Sequence, residues 1–339
     1  MMHSWKNGRI KDLIESLESG VSVNGEDRIP ADNEPAVLKV SAVTYGVFDP
    51  TASKPIIKND LGRAKCNPKA GQIIISRSNT PDLVGASAYI DRNYPARYLP
   101  DKLWQTVPKK NVNVEMRWLA YFLASPWARF QLSRLSTGTS SSMKNITKSE
   151  LLTLPIPIPP LSEQTAIADL LSTWDAAIEK TEKLIAAKEK RFLWLLHSLF
   201  NEQTLISNEN SGSEKVKLGE LFGSQIKVEK GRPLTKDLKI EGDIPVVAGG
   251  QSYAYYTSTP THETPTVTIS ASGAYAGFVW FHDYPIWASD CNVLYVKNSL
   301  GSTKFLFFAL KSIQHKVYAL QSGGAQPHVY SKDMKNLLI

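Results

Sequence analysis

The sequence predicts an α+β protein: two similar mixed α/β domains joined by one long coiled-coil-type helix. Three observations carry this. A heptad pattern runs unbroken near the middle of the 339 residues, a proline cluster precedes it, and the same order of elements recurs on both sides.

The first domain, 1–153, opens on the apolar–charged phrase Ile10-Lys11-Asp12-Leu13. A β-rich run, Gly71-Gln72-Ile73-Ile74-Ile75-Ser76, is followed by a helix-like stretch at 115–135. The domain closes on a loop of small residues and a leucine-rich phrase, STGTSSSMKNITKSELLTLPIP. Residues 154–206 form the spacer. Pro155, Pro157, Pro159 and Pro160 stop any helix from entering on the left. Ser162 is placed to cap a new helix, and neither Pro nor Gly occurs from Leu161 to Gln203. Within that span Ile167, Leu171, Trp174, Ile178, Thr181, Ile185, Lys188, Phe192, Leu195 and Leu199 alternate spacings of four and three. This is a helix-pairing seam with two polar interruptions, Thr181 and Lys188. At 1.5 Å per residue the helix is about 60 Å long. It is too long for the interior of a small domain, so it lies between domains or against a partner helix.

Residues 207–215, SNENSGSEK, read as a linker. The second domain, 216–339, repeats the plan. Val216-Lys217-Leu218-Gly219-Glu220-Leu221 opens it, Thr266-Val267-Thr268-Ile269-Ser270 supplies the β-rich run, and 303–320 the helix-like stretch. It closes on QSGGAQPHVYSKDMKNLLI. Thr147 and Ser331 stand at matching points, as expected N-caps of a short helix in each copy.

Composition bounds the class. With 42% hydrophobic residues the chain can bury real cores. Two distant cysteines, Cys66 and Cys291, form no metal-type pair and suit a reducing cytoplasm. The first residues contain no signal-like apolar stretch, and the longest apolar runs, at 119–124 and 305–310, are too short to span a bilayer. A soluble cytoplasmic protein with no membrane contact is expected. The net charge of +7 suits a polyanionic partner. The basic excess sits in the flanking domains, since 161–205 hold 5 Lys/Arg against 7 Asp/Glu.

The run 154–200, LPIPIPPLSEQTAIADLLSTWDAAIEKTEKLIAAKEKRFLWLLHSLF, resembles the central region of the specificity subunits of type I restriction–modification systems. The phrase Pro159-Pro160-Leu161-Ser162-Glu163-Gln164 leading into a heptad helix is highly specific to that family. Ser136-Thr137-Gly138-Thr139 and Ile146 upstream match it too, as do Gly231-Arg232-Pro233 and Gly242-Asp243-Ile244-Pro245 downstream. The likeness covers essentially the whole chain, patchily inside the two domains. It implies two target-recognition domains, each reading one half of a bipartite site in double-stranded DNA. Two long helices packed antiparallel set the distance between the halves. They dock methyltransferase subunits, and restriction (translocase) subunits join that complex. The resemblance implies no active site, cofactor or metal in this subunit. The sequence departs from the family at Asn336-Leu337-Leu338-Ile339, where a second heptad helix is expected to begin. The expectation is a truncated gene product or frame-shifted allele, whose unpaired seam could self-associate with a second copy. The alternatives are a silent, self-pairing chain or a nuclease or methyltransferase with an unrecognised site.

The residues themselves favour reading without catalysis. No Asn/Asp-Pro-Pro-Tyr/Phe methyltransferase motif occurs, Asn93-Tyr94-Pro95 resembling it only superficially, and no phosphate loop of the G-x-x-x-x-G-K-S/T kind occurs. Pro81-Asp82 and Asp237-Leu238-Lys239 lack the second carboxylate a metal-dependent nuclease needs. His282-Asp283, in an aromatic run, is read as a loop between strands. DNA contacts are expected from basic and amide side chains on loops, since Lys and Arg neutralise phosphates while Arg, Asn and Gln read base edges. In the first domain the candidates are Arg77, Ser78, Asn79 and Thr80, with Thr137, Gly138, Ser140 and Lys144 on the small-residue loop. In the second they are Lys230 and Arg232 around Gly231, Gln251 and Tyr253 after Gly249-Gly250, Gly273 and Tyr275 after Ser272, and Gln326 and His328 around Pro327. For each loop the plain alternative is a solvated turn. Glu179, Lys183, Lys190 and Arg191, on the outer face of the helix, are candidates for contact with the methyltransferase.

Overall fold

The computed structural model describes residues 5–137, 143–200, 215–234, 241–263, 265–297 and 302–339. The chain divides into two units, Met1–Lys180 and Thr181–Ile339, with the division inside the central helix.

In the first unit β1 (Lys6–Arg9), α1 (Ile10–Leu13) and β2 (Ile14–Ser19) follow one another directly. Then come β3 (Ala36–Leu38), β4 (Ser53–Pro55), β5 (Ile73–Ser76), β6 (Ser78–Asn79), β7 (Ser87–Tyr89), β8 (Arg97–Tyr98) and β9 (Leu103–Pro108). An antiparallel sheet runs in the order β2-β9-β5-β7. A smaller sheet runs β4-β3-β8, with β3 and β8 parallel. Every residue of β5 is buried because the strand is covered on both faces. Ile73 and Ile75 enter the main core with Leu119 and Leu123, while Ile74 points oppositely into a minor core with Leu38, Leu99 and Leu103.

The helix-like stretch 115–135 is two helices, α2 (Met116–Ala124) and α3 (Pro126–Leu135). Pro126 cannot continue α2 but opens α3 well, and the Ser125 hydroxyl accepts from the Ala128 amide at 3.3 Å. Next come β10 (Lys144–Asn145), α4 (Lys148–Thr153) and β11 (Pro155–Ile158). Thr147 caps α4 as expected, in a capping box with Glu150 (3.2 and 2.6 Å). The alternating prolines form an edge strand, β11, that pairs with β1 and keeps 155–158 in the first unit.

The central helix α5 (Leu161–Phe200) starts one residue before the expected cap. The Pro160 carbonyl, and not Ser162, takes the first free amides, those of Glu163 and Gln164 (2.9 and 3.0 Å). Gln164 is buried at 2% exposure. Its side chain donates to the Pro159 carbonyl (2.9 Å) and accepts from the Glu115 amide (3.0 Å). Arg117 pairs with Asp169 at 2.9 Å and Tyr121 donates to Asp175 at 2.6 Å, so the first turns are fastened to α2. Further along, the seam is open: Trp174, Ile178, Ile185 and Leu199 are more than half exposed. In the second unit, to which residues 181–200 belong, Phe192 faces Phe308 and Leu196 is buried. The expected continuation of the helix to Gln203 and the linker at 207–214 lie outside the described residues.

The second unit contains α6 (Leu218–Leu221), β12 (Ile226–Lys230), β13 (Ile244–Val247), β14 (Tyr255–Thr257), β15 (Thr266–Ser270), β16 (Val279–His282), β17 (Trp287–Ala288), β18 (Cys291–Val296), α7 (Thr303–Ser312) and α8 (Gln314–Tyr318). Its sheets run β12-β18-β15-β16 and β14-β13-β17, with β13 and β17 parallel. Strand for strand this is the order of the first unit, and the stretch 303–320 breaks into two helices just as 115–135 does. The expected match of Ser331 with Thr147 does not hold. The Val329 amide bonds Ala271 (3.0 Å) as that of Ile146 bonds Arg77 (3.0 Å), so the counterpart of Thr147 is Tyr330. The short 3-10 helix Asp333–Asn336 starts from Lys332 with no side-chain cap. His282 is likewise not in a loop. It ends β16, fully buried, hydrogen-bonded to the Thr268 hydroxyl at 2.8 Å.

Gly20 and Gly231 end the equivalent strands β2 and β12, where an added Cβ would stand 1.7 Å from the Leu99 carbonyl oxygen and 2.0 Å from that of Ser289. Alanine at either position should cost about 3 kcal/mol, read as a lower urea midpoint, because rigid backbone must move. Burial holds His282 neutral and pulls its pKa from 6.5 down to about 4. The unfolded chain therefore takes up a proton that the fold refuses. The stabilisation is complete above pH 6.5 and is lost as the pH falls towards 4, by about 3 kcal/mol. Urea unfolding between pH 4 and 7 should show this slope, and His282→Gln should abolish that part of it.

Candidate nucleic-acid interface

In the first unit the chain leaves β5 at Ser76 and passes straight into the candidate loop. The Arg77 amide donates to the Lys102 carbonyl (2.9 Å), and the Arg77 carbonyl accepts from Ile146 (3.0 Å). β6 then pairs with β10, setting Asn79 opposite Lys144 and Ser78 opposite Asn145. Thr137 and Asn145 exchange two backbone bonds (2.8 and 2.9 Å). The register of one small ladder thus brings Arg77, Ser78, Asn79, Thr80, Thr137 and Lys144 together, from two loops far apart in sequence. Gly138 and Ser140 lie outside the described residues. Ser78 is buried and paired opposite Asn145, so the expected contact residue at this position is withdrawn from the surface. The Asn79 amide group donates to the Ser76 hydroxyl (3.2 Å), and its oxygen accepts from the Thr80 amide (2.9 Å). Half-buried Arg77 forms no ion pair among the described residues.

The second unit repeats the junction. The Ala271 amide donates to the Asp290 carbonyl (3.1 Å), and the Ala271 carbonyl accepts from Val329. Ser272 lies opposite His328, and Ser322 and His328 exchange two backbone bonds (2.9 and 2.8 Å). The Gly273 amide reaches the Pro327 carbonyl (3.0 Å), and the Ser272 hydroxyl donates to the Asp290 carboxylate. Gly249 packs so closely that a Cβ would come within 2.5 Å of the Ser272 carbonyl oxygen. Lys230 is paired opposite Asn292 at the same end of the sheet, and the Arg232 carbonyl accepts from the Trp287 indole (2.9 Å). All the candidate loops of this unit therefore converge on one end of one sheet.

Their side chains are not equally available. Lys230, Arg232, Gln251, Tyr275 and Gln326 are exposed. Tyr253 is drawn inward: its ring stacks on Trp280 at 5.0 Å and its hydroxyl bonds that of Tyr284. Burial pushes the Tyr284 phenol well above its ordinary pKa. His328 stacks on exposed Tyr330 (5.9 Å), over which Lys332 places its ammonium (5.4 Å). Sequence reasoning missed Tyr330 and Lys332 because it assigned the neighbouring Ser331 a capping role. It also missed Tyr45 and Val47, both more than 60% exposed on the turn whose Gly46 bridges to Ala88. Only the tertiary pairing brings that turn to β7.

Among the described residues no group of three His, Cys, Asp or Glu side chains could hold a metal ion. Asp237-Leu238-Lys239 lies outside the described residues. No helix among the described residues is long and apolar enough to cross a membrane.

The family model of the type I restriction modification DNA specificity domain matches residues 2–189 and 210–339. A Mycoplasma pneumoniae protein with the provisional name of type I specificity subunit is 25% identical over 209 residues, covering 60% of this chain and 55% of that one. A Methanocaldococcus jannaschii protein, provisionally named a type I restriction enzyme specificity subunit, is 24% identical over 221 residues, covering 64% and 49%. The chain thus spans about half the length of these curated relatives. The crystal structure of a type I restriction–modification S subunit from M. genitalium shares the fold, with a TM-score of 0.71 at 20% identity, over 98% of this chain and 83% of that one. With the family match covering most of the chain and falling on both units, the chain belongs to the type I restriction modification DNA specificity domain family.

Proposed function

We propose that this chain reads a bipartite DNA sequence as a specificity subunit and performs no chemistry itself. One observation carries the reading: each unit gathers basic, amide and aromatic side chains on loops at the end of its larger sheet, over identical backbone junctions. Two copies of one frame with different loop residues suit two different half-sites. Arg77 and Lys144 in the first unit, and Lys230 and Arg232 in the second, neutralise phosphates. Asn79, Gln251 and Gln326 read base edges, while Tyr275 and His328 add stacking and hydrogen bonds. The restriction-enzyme names of the relatives support methyltransferase and restriction subunits as partners. The charged face of α5 with Glu179, Lys183, Lys190 and Arg191 is offered to the methyltransferase. Its exposed seam, from Leu171 through Trp174, Ile178 and Ile185 to Leu199, is offered to a second helix. Covering such side chains fully is worth about 1.5–3 kcal/mol each, which makes a partner helix more economical than solvent.

Binding to duplex DNA in the presence of the methyltransferase should fall linearly with the logarithm of salt. Arg77→Ala and Lys144→Ala should each flatten that slope by about 0.9, the yield of one phosphate contact. Absence of affinity at low salt would contradict the reading. Gly249→Ala, which forces two loops of the second unit apart, should weaken binding to a selected site about tenfold while leaving the salt slope unchanged.

A further inference from the structure

The reading loops are fastened at a second point that the sequence does not announce. In the first unit the loop leaves at Ser76 and returns at Gly85, whose amide donates to the Ser76 carbonyl (2.8 Å). In the second it leaves at Ser270 and returns at Gly277, whose amide donates to the Ser270 carbonyl (2.8 Å). Both glycines have positive φ, 74° and 90°, as a sharp return demands. The residues just before them, Val84 and Ala276, are therefore equivalent, and each carbonyl is taken by one long side chain. Arg129 Nη1 donates to Val84 at 3.0 Å, and Gln321 Nε2 donates to Ala276 at 2.7 Å.

These are different residue types at non-matching positions, one inside α3 and one beyond α8. What the two units share is the carbonyl that must be held. Arg129 is an expensive choice for stability alone. Its guanidinium also donates to the Asp82 carbonyl, lies 5.5 Å from the centre of the Tyr45 ring, and pairs with no carboxylate among the described residues. Its Nε is buried without an acceptor. In return it ties the Asp82–Val84 return to the turn that carries exposed Tyr45.

We infer that Arg129 and Gln321 are positioning residues for DNA reading: each sets the path of the recognition loop of its own unit without touching DNA. The inference rests on the proposed reading of those loops.

The test selects binding sites from a randomised duplex pool with the full chain and its methyltransferase partner, then compares Arg129→Met, Arg129→Lys and Gln321→Ala. The wild type should enrich a two-part motif. Arg129→Met should blur base preference in one part only and weaken binding to the wild-type motif about tenfold, the usual yield of a hydrogen bond to a charged group. Arg129→Lys keeps a charged donor and should fall between. Gln321→Ala should blur the other part only. Affinity for duplex lacking the motif should not change, which separates loop positioning from general damage. Should Arg129→Met fail to fold, Arg129→Lys and Gln321→Ala decide. If these variants leave both parts sharp, or blur both equally, the inference is overturned. A wild-type chain that enriches no motif overturns the DNA-reading proposal first, and the inference with it.

Discussion

The residue that follows the central strand of each unit, Arg77 in one and Ala271 in the other, has both its backbone groups committed. Its amide is held by the turn entering β9 or β18, and its carbonyl by the strand-like segment after the helices. Each such bond adds only about 1 kcal/mol net, but leaving either group unpaired beside the core would cost about 1–3 kcal/mol. The chain is therefore compelled to bring three separate segments to one point before any side chain is considered. Arg77 and Ala271 differ as much as two residues can, and the junction is the same. A frame held by backbone bonds leaves the loop side chains free to vary, which suits the proposed reading of two different half-sites.

The same economy explains the rest of each unit. The four-stranded sheets bury one face under a broken pair of helices and the other against a three-stranded sheet, so β5 and β15 are buried at every residue, the Thr and Ser positions of β15 included. Gly20 and Gly231 are required where the first strand crosses the segment before the last. The long helix is fastened by polar contacts through Gln164, Asp169 and Asp175. Its apolar seam is left largely uncovered, so the feature that looks most like a core element serves as a surface.

Much of this was legible in the sequence. The duplication, the central helix, β5 and β15 could be read because periodicity and the order of elements are local properties. The breaks at Pro126 and Ile313 were not read, each stretch being expected as one helix-like segment: Pro126 is a visible breaker that was passed over, and Ile313 carries no such mark. The convergence of Arg77 with Lys144 and of Ser272 with His328 was anticipated only as membership of separate loops, since strand register decides it. Tyr253 shows the limit most clearly. A tyrosine after two glycines looks like a contact residue, yet the tertiary fold stacks it on Trp280. Arg129 and Gln321 left no signal at all, because a carbonyl recognised by unlike side chains leaves no motif.

In the proposed reading both units present equivalent loop clusters to the same DNA molecule. Amide hydrogen exchange, with and without a duplex carrying the selected site, tests it most directly. Protection should appear at 77–80 and 144–146 together with 249–253, 272–275 and 326–329, with no change on the exposed seam of the helix. Protection in one unit only, or at the opposite ends of the sheets, would contradict it.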